Sequence, residues 1–407
     1  MNVPNLRFSG FSDEWQEKKL REIAEIVGGG TPSTSVPEYW DGSIDWYAPA
    51  EIKGQRFVAD SVRKITERGL QNCSAKILPA DKTVLFTSRA GIGKTAILKK
   101  PGATNQGFQS LVLNDDINPY FVYSKSTEIK EKAEQVASGS TFLEISGKML
   151  GELTTNLPQK DEQDLIAKTF QRLDDIILSQ QKKCYKLDAL KSACLDKMFP
   201  KAGEKRPEIR IGYYTEDWNE DELEALARVK DSARVPNALW VESGVPYIRA
   251  SDVSNHDMTG VLFLSKESFE YYKGQTGAPS KGDVLFNGGG EIGCAFFKDD
   301  DTPIYVQGGA VLYVMTSASE KLDGQYLKTY FETTTAKKYL KISSAGGTIK
   351  HFTLKPAQCM PILFPEIEEQ KEIGRFFCYL DSIIDIYRCK LKKLKQIKES
   401  MTHSMFV

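Results

Sequence analysis

Leu157-Pro158-Gln159-Lys160-Asp161-Glu162-Gln163 opens a stretch that runs to Lys197-Met198-Phe199. Phe364-Pro365-Glu366-Ile367-Glu368-Glu369-Gln370 opens a second one that runs to Ser404-Met405-Phe406. Aligned without a gap, Pro158 on Pro365, the two agree at Glu162/Glu369, Gln163/Gln370, Ile166/Ile373, Phe170/Phe377, Leu173/Leu380 and Asp174/Asp381. Agreement continues through Ile177/Ile384, Lys186/Lys393, Leu187/Leu394, Lys191/Lys398 and Met198/Met405. Ungapped identity of this length marks an internal duplication.

Each copy reads as one long helix. Pro158 and Pro365 stand just before the start, where a missing N–H costs little. Acidic residues fill the first turns and lysines the later ones, as the helix dipole favours. Apolar positions recur at alternating steps of three and four: Ile166, Phe170, Leu173, Ile177 and Leu187 in the first copy, and Ile373, Phe377, Leu380, Ile384, Leu391 and Leu394 in the second. Spacing sustained over several heptads predicts a coiled-coil seam. About 40 residues of helix would span ~60 Å. The other reading is two amphipathic helices, each packed on its own domain.

The duplication extends outside the helices. Arg7 to Trp15 corresponds to Arg210 to Trp218, and Ala48-Pro49-Ala50-Glu51 to Arg249-Ala250-Ser251-Asp252. Val84-Leu85-Phe86 before Gly91-Ile92-Gly93 matches Val284-Leu285-Phe286 before Glu291-Ile292-Gly293. Gln106-Gly107 is echoed by Gln307-Gly308, and Gly139-Ser140-Thr141 by Gly346-Gly347-Thr348. Short apolar runs between Gly, Pro, Asn and Ser predict β-rich domains with some helix; strands are expected at 83–87, 110–113, 284–287 and 310–315, and helices at 128–136 and 326–340. The expected fold is α+β: a first domain at 1–157, a helix at 158–200, a linker at 201–208, a second domain at 209–364 and a second helix at 365–407. Two similar halves packed about a pseudo-two-fold axis make the helices antiparallel. One chain then imitates a dimer whose two heads meet two sites on a regular polymer, as dimeric DNA binders do.

Charged residues at 27% and hydrophobic residues at 41% are those of a soluble globular chain. A net charge of −1 argues neither for nor against nucleic acid, since a local basic face can hide in a neutral total. Seven scattered cysteines and three histidines show no metal-ligand spacing, which points to a reduced cytoplasmic chain. No apolar run is long enough for a membrane span, and no leader is expected.

Two catalytic readings fit their own patterns poorly. Gly91-Ile92-Gly93-Lys94-Thr95 resembles the end of a phosphate-binding loop, but Ser88 stands where that loop needs glycine. A turn between strands explains the glycines better. Glu51-Ile52-Lys53 resembles the end of a nuclease metal site, but no partner Asp stands out and the counterpart is Asp252-Val253-Ser254. The loops instead carry the chemistry that contacts phosphates and base edges. Candidates in the first half are Thr31, Ser33, Thr34, Lys53, Arg89, Lys94, Gln106, Ser138, Ser140 and Thr141; in the second they are Arg249, Asn287, Gln307, Thr348, Lys350 and His351. The basic run Arg388 to Lys395 is either a solvated helix face or a contact for phosphates or an acidic partner.

Gly29-Gly30-Thr31-Pro32, Val245 to Asp252, the paired Val-Leu-Phe blocks, Ser138 to Thr141 and the two Pro-x-x-x-Glu-Gln helix openings together resemble the specificity subunits of type I restriction-modification systems. The resemblance covers essentially the whole chain. It implies two target-recognition domains, each reading half of an asymmetric bipartite target in double-stranded DNA. It implies helices that set the gap and dock two modification (methyltransferase) subunits, with restriction subunits joining the complex. The chain itself would be non-catalytic and hold no cofactor; S-adenosylmethionine, ATP and Mg²⁺ would sit on the partners. Other readings are a bivalent coiled-coil adaptor that selects no DNA sequence, and an enzyme with a cryptic nuclease or ATPase site dependent on Glu51, Lys53 or Lys94.

Overall fold

Both duplicated stretches are single helices, Lys160–Lys197 and Ile367–Met405, of 38 and 39 residues. The computed structural model describes residues 3–89, 91–138, 143–346 and 350–406. No helix among them is long and apolar enough to cross a membrane. The chain forms two compact units, one of residues 1–181 with 389–407, the other of residues 182–388. Each unit thus contains the start of one long helix and the end of the other.

In the first unit the strands are β1 (Gln16–Lys19), β2 (Ala24–Gly28), β3 (Trp40–Tyr47), β4 (Phe57–Val58), β5 (Arg63–Ile65), β6 (Thr83–Phe86), β7 (Thr95–Leu98), β8 (Gly102–Thr104), β9 (Gln109–Leu113) and β10 (Thr154–Leu157). They form a five-stranded sheet β2-β9-β6-β7-β4, a three-stranded sheet β5-β3-β8 and the ribbon β1-β10. The second unit has β11 (Asn219–Glu222), β12 (Val229–Asp231), β13 (Trp240–Val241), β14 (Val245–Ile248), β15 (Phe263–Leu264), β16 (Val284–Asn287), β17 (Ala295–Phe297), β18 (Tyr305–Val306), β19 (Val311–Val314) and β20 (Pro361–Phe364). They form β12-β19-β16-β17, β13-β15-β14-β18 and the ribbon β11-β20. The all-apolar runs Val84 to Phe86 and Val284 to Phe286 are central strands, buried on both faces.

One expected helix is broken. The stretch 326–340 is two helices, Gly324–Tyr330 and Thr334–Ser343. The Thr333 hydroxyl accepts from the Ala336 N–H and starts a new helix, a role that competes with continuing the old one.

Within each unit the two helix segments run antiparallel. In the first, Asp174 pairs with Lys398 at 2.6 Å and Phe170 meets Phe406 at 5.3 Å between ring centroids. In the second, Asp188 pairs with Arg388 at 2.8 Å, Asp381 with Lys191 at 2.5 Å, and Phe377 meets Phe199 at 6.0 Å. Asp174/Lys398 and Asp381/Lys191 are repeat equivalents, so one ion pair is made twice. Ile166, Phe170, Ile177, Ile373, Phe377, Leu380 and Ile384 are buried, while Leu173, Leu187, Leu391 and Leu394 are half-buried. The first positions do more than line a seam. Ile166 and Phe170 share a core with Trp15, Phe121 and Met405; Ile373 and Phe377 share one with Trp218, Tyr326 and Met198. The two readings of these helices therefore combine: each helix starts on its own globular core, and the end of the other helix completes it.

The shared helix openings have local explanations. Glu162 takes a bidentate pair from Arg7, at 2.7 and 2.8 Å, and Glu369 takes one from Arg210. Gln163 accepts from the Asn118 N–H and donates to Pro158 O; Gln370 accepts from the Asp323 N–H and donates to Pro365 O. Each Glu-Gln therefore ties a helix start to the chain before it and to the cap of a short helix beside it.

Candidate nucleic-acid interface

Four loops converge in the first unit. The Gly30 N–H donates to Thr104 O at 2.9 Å, and the Thr31 hydroxyl bonds the Gln106 side chain. The Ser88 N–H donates to Gly107 O, and the Ile145 N–H to Ser88 O. A bridge between Ser138 and Glu144 closes the fourth loop. Thr31, Gln106, Arg89 and Ser138 are thereby brought to one region, with Thr31, Gln106 and Ser138 exposed. Ser33 and Thr34 are exposed on the same first loop, which the Trp40 indole pins through Ser33 O. The glycines before Thr31 serve contact between backbones: a Cβ on Gly29 would lie 2.0 Å from Asn105 O. Lys53 is exposed just past the Pro49–Glu51 turn, whose Pro49 abuts Gly107.

Lys94 is exposed on the neighbouring hairpin, across from Thr87. Thr87 and Lys94 close the turn between β6 and β7, with Gly91 and Gly93 in the left-handed region at φ 99° and 83°. Gly93 lies against the Lys130 stem. The glycine pair is therefore a strand-to-strand turn. Glu51 accepts from the Ala48 and Val62 N–H groups at 2.8 and 2.7 Å, which commits both carboxylate oxygens to shaping a turn. Asp252 does the same for the Arg249 N–H at 2.9 Å, so the duplicated block is a cap.

The second unit repeats the convergence. The Gln307 N–H donates to Ile248 O, the Gly309 N–H to Asp231, and the Phe352 N–H to Gly288 O at 2.7 Å. His351 forms a bridge with Ala345, and both Lys350 and His351 are exposed. The tight approach of Gly29 to Asn105 recurs with the glycine on the other loop: a Cβ on Gly308 would lie 1.9 Å from Ser232 O. Gln307 is half-buried beside Arg249.

Two candidates of the second half are tied into the fold. Asn287 is fully buried, and its amide donates to Ala250 O at 2.8 Å and Ser254 Oγ at 3.0 Å. It anchors β16 to the helix Ala250–Ser254, and expecting it at a DNA surface is corrected on that ground. Arg249 is half-buried in a two-point pair with Asp252, which raises its pKa through that hydrogen bond and leaves its fork less free for a guanine or phosphate. Ser140, Thr141 and Thr348 lie outside the described residues. Sequence reading missed Arg234, exposed in the loop opposite Gly308. The offset between Trp15 and Trp218 sets Arg234 against Thr31, and that register was the available signal.

Comparison with known proteins bears on what these loops do. The profile of the type I restriction modification DNA specificity domain matches residues 12–185 and again residues 215–396. The chain belongs to this family. It is similar to the MjaIX specificity subunit of Methanocaldococcus jannaschii, 37% identical over 174 residues, covering 42% of this chain and 40% of the relative. It is also similar to the EcoR124I/EcoR124II specificity subunit of Escherichia coli, 28% identical over 179 residues and 43% of that relative. These two matches span less than half of each relative's length. A putative MjaX specificity subunit of M. jannaschii matches over 98% of this chain and 94% of its own length at 23% identity. The crystal structure of a type I restriction-modification S subunit from M. genitalium superposes over 100% of this chain and 99% of its own, with a TM-score of 0.62 at 16% identity, which establishes a shared fold.

Proposed function

We propose that this chain is the DNA sequence-specificity subunit of a type I restriction-modification complex, each loop cluster reading one half of an asymmetric duplex target. The observation that carries this reading is the duplicated cluster: corresponding loops meet on each half of a duplicated fold and, Gln106 and Gln307 apart, bear different side chains. Thr31, Arg89 and Gln106 stand in one, and Arg234, Gln307 and His351 in the other. Hydroxyl, amide and guanidinium groups on sheet-anchored loops suit base edges and phosphates, and different groups select different half-sites. Family membership supports the same role.

In this reading the paired helices set the gap and dock two modification subunits. Leu190 and Ile397, repeat equivalents, are 49% and 50% exposed, giving both helices an apolar contact at the same repeat position. The chain catalyses nothing itself. S-adenosylmethionine, ATP and Mg²⁺ act on the modification and restriction subunits, and the complex works in the cytoplasm, in keeping with free cysteines.

The test is selection from a random duplex pool by the chain co-expressed with its modification subunit. A bipartite motif with a fixed gap is expected. Salt-sensitive binding without a motif would move the reading to a bivalent adaptor.

A further inference from the structure

The two units differ at one sheet edge. In the first, β4 pairs in parallel with β7 and closes the sheet: the Ile97 N–H donates to Arg56 O and the Lys99 N–H to Val58 O, both at 2.8 Å. Arg56 runs from this strand to the first long helix. Its guanidinium donates to the Tyr120 hydroxyl at 3.2 Å, to Gln171 O at 3.4 Å and to Asp175 at 2.7 Å, and the Phe57 ring packs on Tyr120 at 6.0 Å.

In the second unit β17 is the sheet edge, and among the described residues no strand pairs with its outer side. Phe297 opposes Val284 as Ile97 opposes Val84, so Phe297 and Asp299 hold the positions of the two donors, Ile97 and Lys99. The loop that supplies β4 in the first unit is folded differently here. Asp257 accepts from the Thr259 N–H and hydroxyl, and His256 takes a left-handed φ of 53°.

A groove of about 630 Å³ lies along this edge. The three residues that correspond to those gripping Arg56 all line it: Gln325 for Tyr120, Cys378 for Gln171 and Ser382 for Asp175. Phe296, Phe297 and Ile292 give it an apolar wall. Glu291, Asp299 and Asp385 also line it, and no ion pair engages them among the described residues; Lys337 is the one lining cation likewise without one. Among the residues lining the groove, carboxylates without an ion pair therefore outnumber such cations.

We propose that this groove binds an extended segment of a partner protein, which adds a parallel strand to the outer edge of β17. The segment carries a basic residue followed by an aromatic and an aliphatic one. The backbone ladder supplies affinity and the alternate side chains supply selectivity, the mode of β-strand addition. The basic residue enters among Asp385, Asp299 and Glu291, and the aromatic one packs on the wall beside Gln325. None of Arg234, Arg249, Gln307 and His351 lines the groove, so the inference goes beyond the DNA-reading role and does not depend on it.

The probe is a fluorescent peptide copying residues 54–60 of this chain, Gly-Gln-Arg-Phe-Val-Ala-Asp, titrated into the full chain and followed by anisotropy. Saturable binding is expected, with slower amide exchange at residues 296–299. Replacing the peptide's arginine by alanine should weaken it roughly tenfold, the scale of one charge-assisted hydrogen bond. Asp299→Pro removes an edge donor at an exposed position and should abolish binding without lowering the melting temperature. Ser382→Asp restores the carboxylate present in the first unit and should tighten binding. No saturable binding, or binding indifferent to Asp299→Pro and Ser382→Asp, overturns the proposal. So does protection of residues 255–262 in place of 296–299, which would assign the edge to the chain's own loop.

Discussion

At Glu162 and Glu369 a buried carboxylate meets an arginine fork from a segment about 155 residues earlier. Glu162 is 1% exposed, so removing Arg7 strands a charge. Arg7→Ala is expected to lower stability by about 3 kcal/mol, the cost of breaking a buried pair. Urea unfolding measures it, and Arg7→Ala combined with Glu162→Gln should recover part of the loss. Asn287 and Gln307 are expected to separate structure from readout. Asn287→Ala removes the amide that donates to both Ala250 O and Ser254 Oγ and should cost about 2 kcal/mol. Gln307→Ala should leave the melting temperature unchanged and relax base preference in one half-site only. Thermal and urea unfolding of each variant check the stabilities, and duplex selection checks the base preference. Neither distinction was legible in sequence, where both residues are amides in duplicated blocks. Burial and hydrogen-bond saturation depend on neighbours distant along the chain.

The long helices were the most legible elements, because a period of 3.5 needs only local spacing. Less legible was what each buried position touches. Phe199 and Phe406, the last apolar residues of the two stretches, insert into aromatic clusters with Trp218 and Trp15 respectively. The charge at Asp381 is also a tertiary matter. Burial works against its carboxylate, but Lys328 and Lys191 outweigh burial and hold its pKa below the usual value. A depressed carboxyl contributes stability above the unfolded-state pKa of about 4 and loses it as pH falls through the lower folded value. Asp381→Asn should therefore lower the melting temperature at pH 7, and the gap from the unsubstituted chain should narrow only below about pH 4. Melting curves from pH 7 to pH 3 decide it; a gap that does not change with pH would refute the electrostatic account.

For the whole molecule, the proposed spacing role has a mechanical consequence. One heptad added to each helix, between the positions of the two equivalent ion pairs, lengthens the pair by ~10 Å, about three base pairs of duplex. The selected gap should grow by that amount while both half-sites stay the same. Adding the heptad to one helix alone throws Asp174/Lys398 or Asp381/Lys191 out of register and should destabilise the chain. Exchanging residues 1–157 for those of another family member should change one half-site and leave the other.

The sequence by itself determined the duplication, the two long helices, the central strands and the loops worth watching, because each is written in local spacing, apolar runs or repeated blocks. Only the tertiary structure decided that Asn287 is an anchor, that Glu51 and Asp252 are caps, and that each helix end completes the core beside the other helix's start. It alone showed that the same sheet carries a fifth strand in one unit and, among the described residues, an open edge in the other. These depend on which backbone groups find partners and how closely chains approach, and such facts exist only once residues far apart in sequence are neighbours in space.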